Sequence, residues 1–166
     1  QAPVQFIEGQ TFFELRKILD QHPDLKHDSK DLSEAEILKA IGAVETKAEG
    51  LFFPDTYLVI PGTSDLKLLQ RAYAAMQNHL ATAWEARDQD LPYNDAYQAL
   101  IMASIIEKET GQPSERPLIA SVFINRLKKR MLLQTDPTVI YGMGSQFDGN
   151  IRKTDLQRDT PYNTYT

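Results

Sequence analysis

Apolar positions recur along this chain at either strand or helix intervals, and those intervals set out a succession of short elements. Val4-Gln5-Phe6-Ile7 alternates as a short strand does. Glu8-Gly9 turns it into a helix that opens with Thr11 and Glu14 at capping-box spacing and repeats Phe12, Leu15, Ile18 and Leu19 on one face. The polar stretch 22–30 reads as a loop, after which Ser33 and Glu36 form a second capping box, starting a helix over 34–41 that Gly42 can end. Residues 49–60 are aromatic and β-branched and lie between Gly50 and the turn Pro61-Gly62. Pro54 bars a regular central strand there and bends the chain near Asp55. Ser64 then caps a long amphipathic helix reaching about residue 87, with Leu66, Leu69, Tyr73, Met76, Leu80 and Trp84 as its stripe and His79 beside it as a satisfied structural histidine.

Leu91-Pro92-Tyr93 interrupts the pattern. Asn94 is placed to cap a further helix, which Thr110-Gly111-Gln112-Pro113 ends, and Ser114 opens another with Leu118, Val122, Phe123 and Leu127 as its buried face. Its other side offers Asn125 and Arg126. From Met131 small polar groups mix with apolar ones, and Gly142, Gly144 and Gly149 make the following stretch loop-like, with one helical turn capped by Thr154 before Pro161. The pattern predicts an α+β chain, with a small α+β appendage over 1–48 and a mostly helical region over 49–166.

Composition narrows this reading by exclusion. The chain has 166 residues, 42% hydrophobic and 25% charged, as a soluble globular protein does. A net charge of −5 without a basic run argues against a nucleic-acid partner. The absence of cysteine excludes disulfides and thiolate metal sites. His22 and His27 flank Pro23 without a further ligand cluster, so no metal site is expected. No run is apolar enough to span a bilayer, Gln1-Ala2-Pro3 has the features of neither a signal nor an anchor, and Tyr162-Asn163-Thr164-Tyr165-Thr166 stops in mid-pattern. The chain is therefore expected to be a fragment whose anchor lies outside it.

The stretch that asks for chemistry is Ala103-Ser104-Ile105-Ile106-Glu107-Lys108-Glu109-Thr110, an apolar helical run that suddenly carries acids. On a helix, Glu107 and Glu109 point to nearly opposite sides, so at most one can face a given cleft. Small Ala103 and Ser104 lie one turn before Glu107, whereas Ile105 and Ile106 wall off Glu109. Glu107 is accordingly the acid with space in front of it, and Glu109 a support or surface residue. A carboxyl half out of water holds a proton near neutral pH, as a general acid must. The plain alternative is that both are solvated glutamates at a helix end. Aromatics beside an acid, as at Asp55 and Tyr57, suit a sugar cleft, although core packing of Phe52 and Tyr57 accounts for them equally well. Gln134, Thr135 and Asp136 suit recognition of hydroxyls and amides.

The blocks 49–57, 103–109, Ala120-Ser121-Val122-Phe123-Ile124-Asn125-Arg126-Leu127, 133–142 and Tyr162-Asn163-Thr164-Tyr165 together resemble, in order and spacing, those of the YceG-like family, the bacterial endolytic murein transglycosylases of the MltG type. The resemblance implies a lysozyme-like catalytic region over 49–166 that cuts peptidoglycan strands internally, preceded over 1–48 by a LysM-like subdomain. It implies a single-pass inner-membrane protein with this region in the periplasm, held by an N-terminal anchor not in this chain, with cell-wall synthases as partners and no cofactor. The first acid of the family's Ile-Ile-Glu-Lys-Glu block falls on Glu107. Gln134 and the Tyr162-Asn163 pair resemble in type the sugar-holding elements of lysozyme-like transglycosylases, and Asp55, Tyr57, Asn125 and Asp136 are further candidates for the cleft. The family pattern continues past Tyr165, so a cleft truncated at its C-terminal end is expected. The competing readings are a hydrolytic muramidase with Asp55 or Asp136 as base, and a non-catalytic glycan-binding or scaffold module. An aminodeoxychorismate-lyase label used for such proteins would require a Schiff-base lysine, and no lysine here sits in an apolar setting.

Overall fold

In a computed structural model, which describes residues 1–166, Val4 faces Tyr57 across an antiparallel pair of strands, β1 (Ala2–Gln5) and β3 (Thr56–Val59). Val4, Tyr57 and Val59 turn inward while Leu58 stays exposed, the alternation of a two-stranded sheet with one covered face. The strand expected over 4–7 thus lies two residues earlier. Phe6 still points into the core, but its N–H donates to the Asp55 carbonyl at 2.9 Å and the chain leaves the ladder there.

Between these strands lie α1 (Phe12–Gln21), β2 (Leu25–Lys26) and α2 (Glu34–Ala40). Thr11 accepts the Glu14 N–H at 3.2 Å, and Ser33 and Glu36 form a reciprocal capping box, as their spacing predicts. β2 pairs in parallel with β4 (Thr63–Ser64), so the stretch 22–30 is not wholly loop. Ser64 caps α3 (Asp65–Glu85) by accepting the Leu66 N–H at 3.2 Å.

Two compact units result, Gln1–Arg87 and Asp88–Thr166. The division falls well beyond the boundary expected at 48/49, and the reason is packing. β1 finds its partner only at Thr56–Val59, the Glu49 carboxylate accepts the Phe12 N–H at 2.5 Å, and Leu51, Phe52, Leu68, Leu69 and Ala72 join Leu19 and Ile37 in one core. Each large apolar side chain buried there contributes about 1.5–3 kcal/mol. Asp65, fully buried at the start of α3, accepts the Ser29 N–H at 3.0 Å and its hydroxyl at 2.6 Å, so its burial is compensated. Farther along α3 the stripe is only half-covered. His79, expected as a structural histidine beside the stripe, is exposed and stacks its ring on Phe53 at 3.9 Å.

The second unit consists of α4 (Ala96–Glu109), α5 (Arg116–Lys128), α6 (Asp136–Met143) and α7 (Lys153–Gln157). α4 packs against α5 and α6, and α6 against α7. Met102, Phe123 and Val139 are its buried apolar side chains. Asp95 rather than Asn94 caps α4, a 3₁₀ turn over Pro113–Glu115 rather than a Ser114 cap leads into α5, and Arg152 rather than Thr154 is the N-cap of α7. Of the face expected to be buried on α5, Phe123 is covered, whereas Leu118 and Val122 are 69% and 41% exposed. α6 falls in a stretch whose Thr138-Val139-Ile140-Tyr141 reads as β-prone; Asp136-Pro137 in the first turn starts a helix instead. Gly142 allows the C-terminal segment to approach, since a Cβ there would lie 3.0 Å from the Thr160 hydroxyl. No helix is long and apolar enough to cross a membrane.

Candidate active site

Glu107 lies on α4 at an open depression of about 370 Å³ lined by Ala103, Ile106, Glu107, Arg116, Pro117 and Ala120. The space predicted from the small residue one turn earlier is present, since Ala103 forms part of its wall and Ala120 of α5 lies there too. Ser104 is not part of that wall; its hydroxyl donates to the Ile101 carbonyl at 2.6 Å. The Glu107 side chain is 33% exposed. Arg116, at the first position of α5, places Nη2 at 3.6 Å from Glu107 Oε2. No second carboxylate lines the depression.

Glu109 turns away, as the helical geometry requires. Its Oε2 accepts a 2.7 Å hydrogen bond from the hydroxyl of Thr135, which is buried at the N-cap of α6. Around Thr135 a second locus forms. The Thr135 N–H donates to Thr164 Oγ1 at 2.9 Å, and the Gln134 N–H donates to the Thr164 carbonyl at 3.0 Å. Gln134 adopts a left-handed backbone conformation with φ of 54°, held between that bond and the one from Arg126 to the Leu133 carbonyl. Such a conformation costs a non-glycine residue of order 1 kcal/mol and presents its exposed side chain from a fixed turn. The Tyr165 hydroxyl donates to Asp136 Oδ1 at 2.5 Å, and this hydrogen bond, with burial, pushes its pKa up to about 12.

The remaining predicted residues are distributed unevenly. Asn163 lies at this second locus but is engaged by backbone: its amide donates to the Leu156 and Arg158 carbonyls at 3.1 and 2.6 Å, and its Oδ1 accepts the Tyr165 N–H at 2.7 Å. It is a structural clamp and not a free sugar-binding amide. Tyr162 is 44% exposed, its ring set edge-on to Tyr141 at 5.0 Å. Asn125 is exposed on α5 and is not among the residues lining the depression. In the first unit, Asp55 is exposed and its carboxylate accepts the Thr56 N–H at 2.8 Å. Tyr57 is only 7% exposed, donates its hydroxyl to the Phe53 carbonyl at 2.5 Å and packs on Phe6, so it is a core residue and not a sugar platform. Burial, with the negative charge of Asp55, pushes its pKa up to about 12.

Sequence reasoning passed over Arg116 and gave Thr135 no more than a general polar role. The only local sign for Arg116 was a cation three residues past Pro113, where a short connection returns α5 against α4.

One carboxyl and one guanidinium on an otherwise apolar, solvent-open wall define a site for acid–base or ionic chemistry on a ligand that enters from outside. The YceG-like family matches over residues 1–166, and the chain belongs to that family. It is similar to the endolytic murein transglycosylase of Bacillus subtilis (strain 168), with 40% identity over 117 residues, 70% of this chain and 32% of the relative. It is also similar to that of Streptococcus pneumoniae serotype 2 (strain D39), with 34% identity over 125 residues, 72% of this chain and 22% of the relative. Among solved structures, the yceG-like protein lmo1499 from Listeria monocytogenes matches with a TM-score of 0.75 and 28% identity, over 99% of this chain and 59% of that one. The chain thus spans a third or less of the curated relatives it matches and about three fifths of the crystallised protein.

Proposed function

We propose that this chain carries the catalytic acid of an endolytic lytic transglycosylase, and that Glu107 is that acid. The observation that carries the reading is the single carboxylate lining an open depression. Protonated, Glu107 donates to the oxygen between N-acetylmuramic acid and N-acetylglucosamine as oxocarbenium character builds at the muramyl anomeric carbon. As carboxylate it accepts the proton of the muramyl 6-hydroxyl, whose oxygen closes on that carbon to give a 1,6-anhydro end. The nucleophile belongs to the substrate, so its effective concentration is high and no second protein carboxylate is required. Glycosidases of the usual kind need two. Glu109 and Asp136 do not line the depression and are hydrogen-bonded elsewhere, Glu109 with Thr135 and Asp136 with Tyr165.

The names of the relatives support murein as the substrate class. The reading extends to an inner-membrane, periplasmic setting with cell-wall synthases as partners, as the family resemblance implies. In the first unit, two helices between antiparallel β1 and β3 support a LysM-like module, provided its limit is moved beyond Val59. The helical second unit is read as lysozyme-like. Gln134 and Tyr162, both exposed, are the remaining sugar-contact candidates.

Mass spectrometry of the products from purified glycan strands tests the reaction. Transglycosylation releases anhydro ends without taking up water; fragments whose new muramyl end is heavier by one water would assign a hydrolase, and uncut but bound strands a binding module.

A further inference from the structure

Arg116 is the only cation lining the depression around Glu107, and it is incompletely engaged there. At 3.6 Å its contact with Glu107 is longer than a charge-assisted N–H···O hydrogen bond of about 2.7–2.9 Å. The side chain is 48% exposed, and the guanidinium offers a planar fork of donors, most of them left over after one contact of that length. Ala103, Ile106, Pro117 and Ala120 supply no side-chain donor or acceptor to the same wall. The side-chain donor capacity available to an incoming ligand is therefore concentrated at Arg116, in the geometry that matches a carboxylate.

We propose that Arg116 is a specificity residue that binds a carboxylate carried by the glycan, either the lactyl carboxyl of the muramyl residue or one on the peptide built upon it. This rests on the reading of Glu107 as the acid of a muramyl-cleaving site. The two sugars of the strand differ at the lactyl ether, and only the muramyl residue brings an anion or a peptide-bearing arm. When the fork turns to that carboxylate, the Arg116–Glu107 pair is exchanged for an Arg116–substrate pair. Glu107 is then left facing the glycosidic oxygen, and the anion registers which side of the bond lies over the acid.

The test compares wild type, Arg116→Ala and Arg116→Lys on strands with intact peptides, on strands stripped by an amidase to free lactyl carboxylates, and on both after the carboxyls are capped as methylamides. Equilibrium binding and kcat/KM are both read. Wild type should bind carboxylate-bearing strands about tenfold tighter than capped ones, the scale of one partly exposed charge-assisted contact. Arg116→Ala should erase that difference, changing KM much more than kcat. Arg116→Lys should recover only part, having charge without the fork. An effect on stripped strands identifies the lactyl carboxyl, and an effect confined to peptide-bearing strands identifies the peptide. Equal losses by Arg116→Ala on charged and capped strands overturn the assignment, even where strands are cut. A charge-dependent binding difference that vanishes in Arg116→Ala upholds it, even where none is cut, and in that case only the catalytic reading of Glu107 falls.

Discussion

The hydroxyl of Thr135 donates to Glu109 Oε2 at 2.7 Å, tying the last turn of α4, two residues from Glu107, to the N-cap of α6. Thr135 is 2% exposed, and its carbonyl accepts from Thr138 and Thr164 while its N–H donates to Thr164. Thr135→Val keeps the shape and deletes the donor, and is expected to destabilise the second unit by about 1–3 kcal/mol in urea unfolding. Thr135→Ser retains the hydroxyl and should lose much less. If both variants unfold with wild type, the bond carries no structural weight.

Asn163 provides a contrast between a clamp and a ligand contact. With its amide held by two carbonyls and its Oδ1 by the Tyr165 N–H, Asn163→Ala should lower the unfolding midpoint and loosen the C-terminal segment to hydrogen exchange. Affinity for glycan strands, measured under conditions where the variant remains folded, should stay within about twofold of wild type on the scale of ligand-contact losses. A large loss of affinity with unchanged stability would return Asn163 to the sugar site.

Four tyrosines are held above their ordinary pKa, and Tyr57 and Tyr165, the two raised to about 12, set the alkaline limit. Burial raises Tyr57, and the hydrogen bond to Asp136 raises Tyr165, each to about 12 from an ordinary value of 10.0. A group whose folded pKa is raised gives its full stabilisation below the unfolded value and loses it as pH climbs through the folded one. Stability should therefore hold up to about pH 10 and fall between about 10 and 12. Tyr57→Phe, weakened at neutral pH by the lost bond to Phe53, should flatten part of that fall. The check is unfolding free energy against pH, alongside phenolate absorbance.

The Ser33–Glu36 capping box, the Thr11 cap, the amphipathic α1 and α3, and the break before α4 were legible because they depend on neighbours within a few residues. The unit boundary was not, because strand β1 waits for a partner more than fifty residues away and sequence spacing carries no record of that pairing. α6 was hidden because small polar residues mix with apolar ones there and glycines follow, while the Asp-Pro start and a buried Val139 make it helical. The opening beside Glu107 was legible from Ala103 one turn before it, whereas Ser104 lies outside that wall. Asn163 and Tyr57 misled because their residue types suit sugars, while tertiary contacts engaged their polar atoms with backbone carbonyls. Arg116 was missed because its meaning lies in the return of α5 against α4.

The central claim rests on one carboxyl, and Glu107→Gln removes its proton chemistry while keeping its shape. Cleavage of purified glycan strands should drop to background in that variant, with the unfolding midpoint unchanged and strand binding retained. An equally stable Glu107→Gln protein that cuts strands at the wild-type rate would contradict the account.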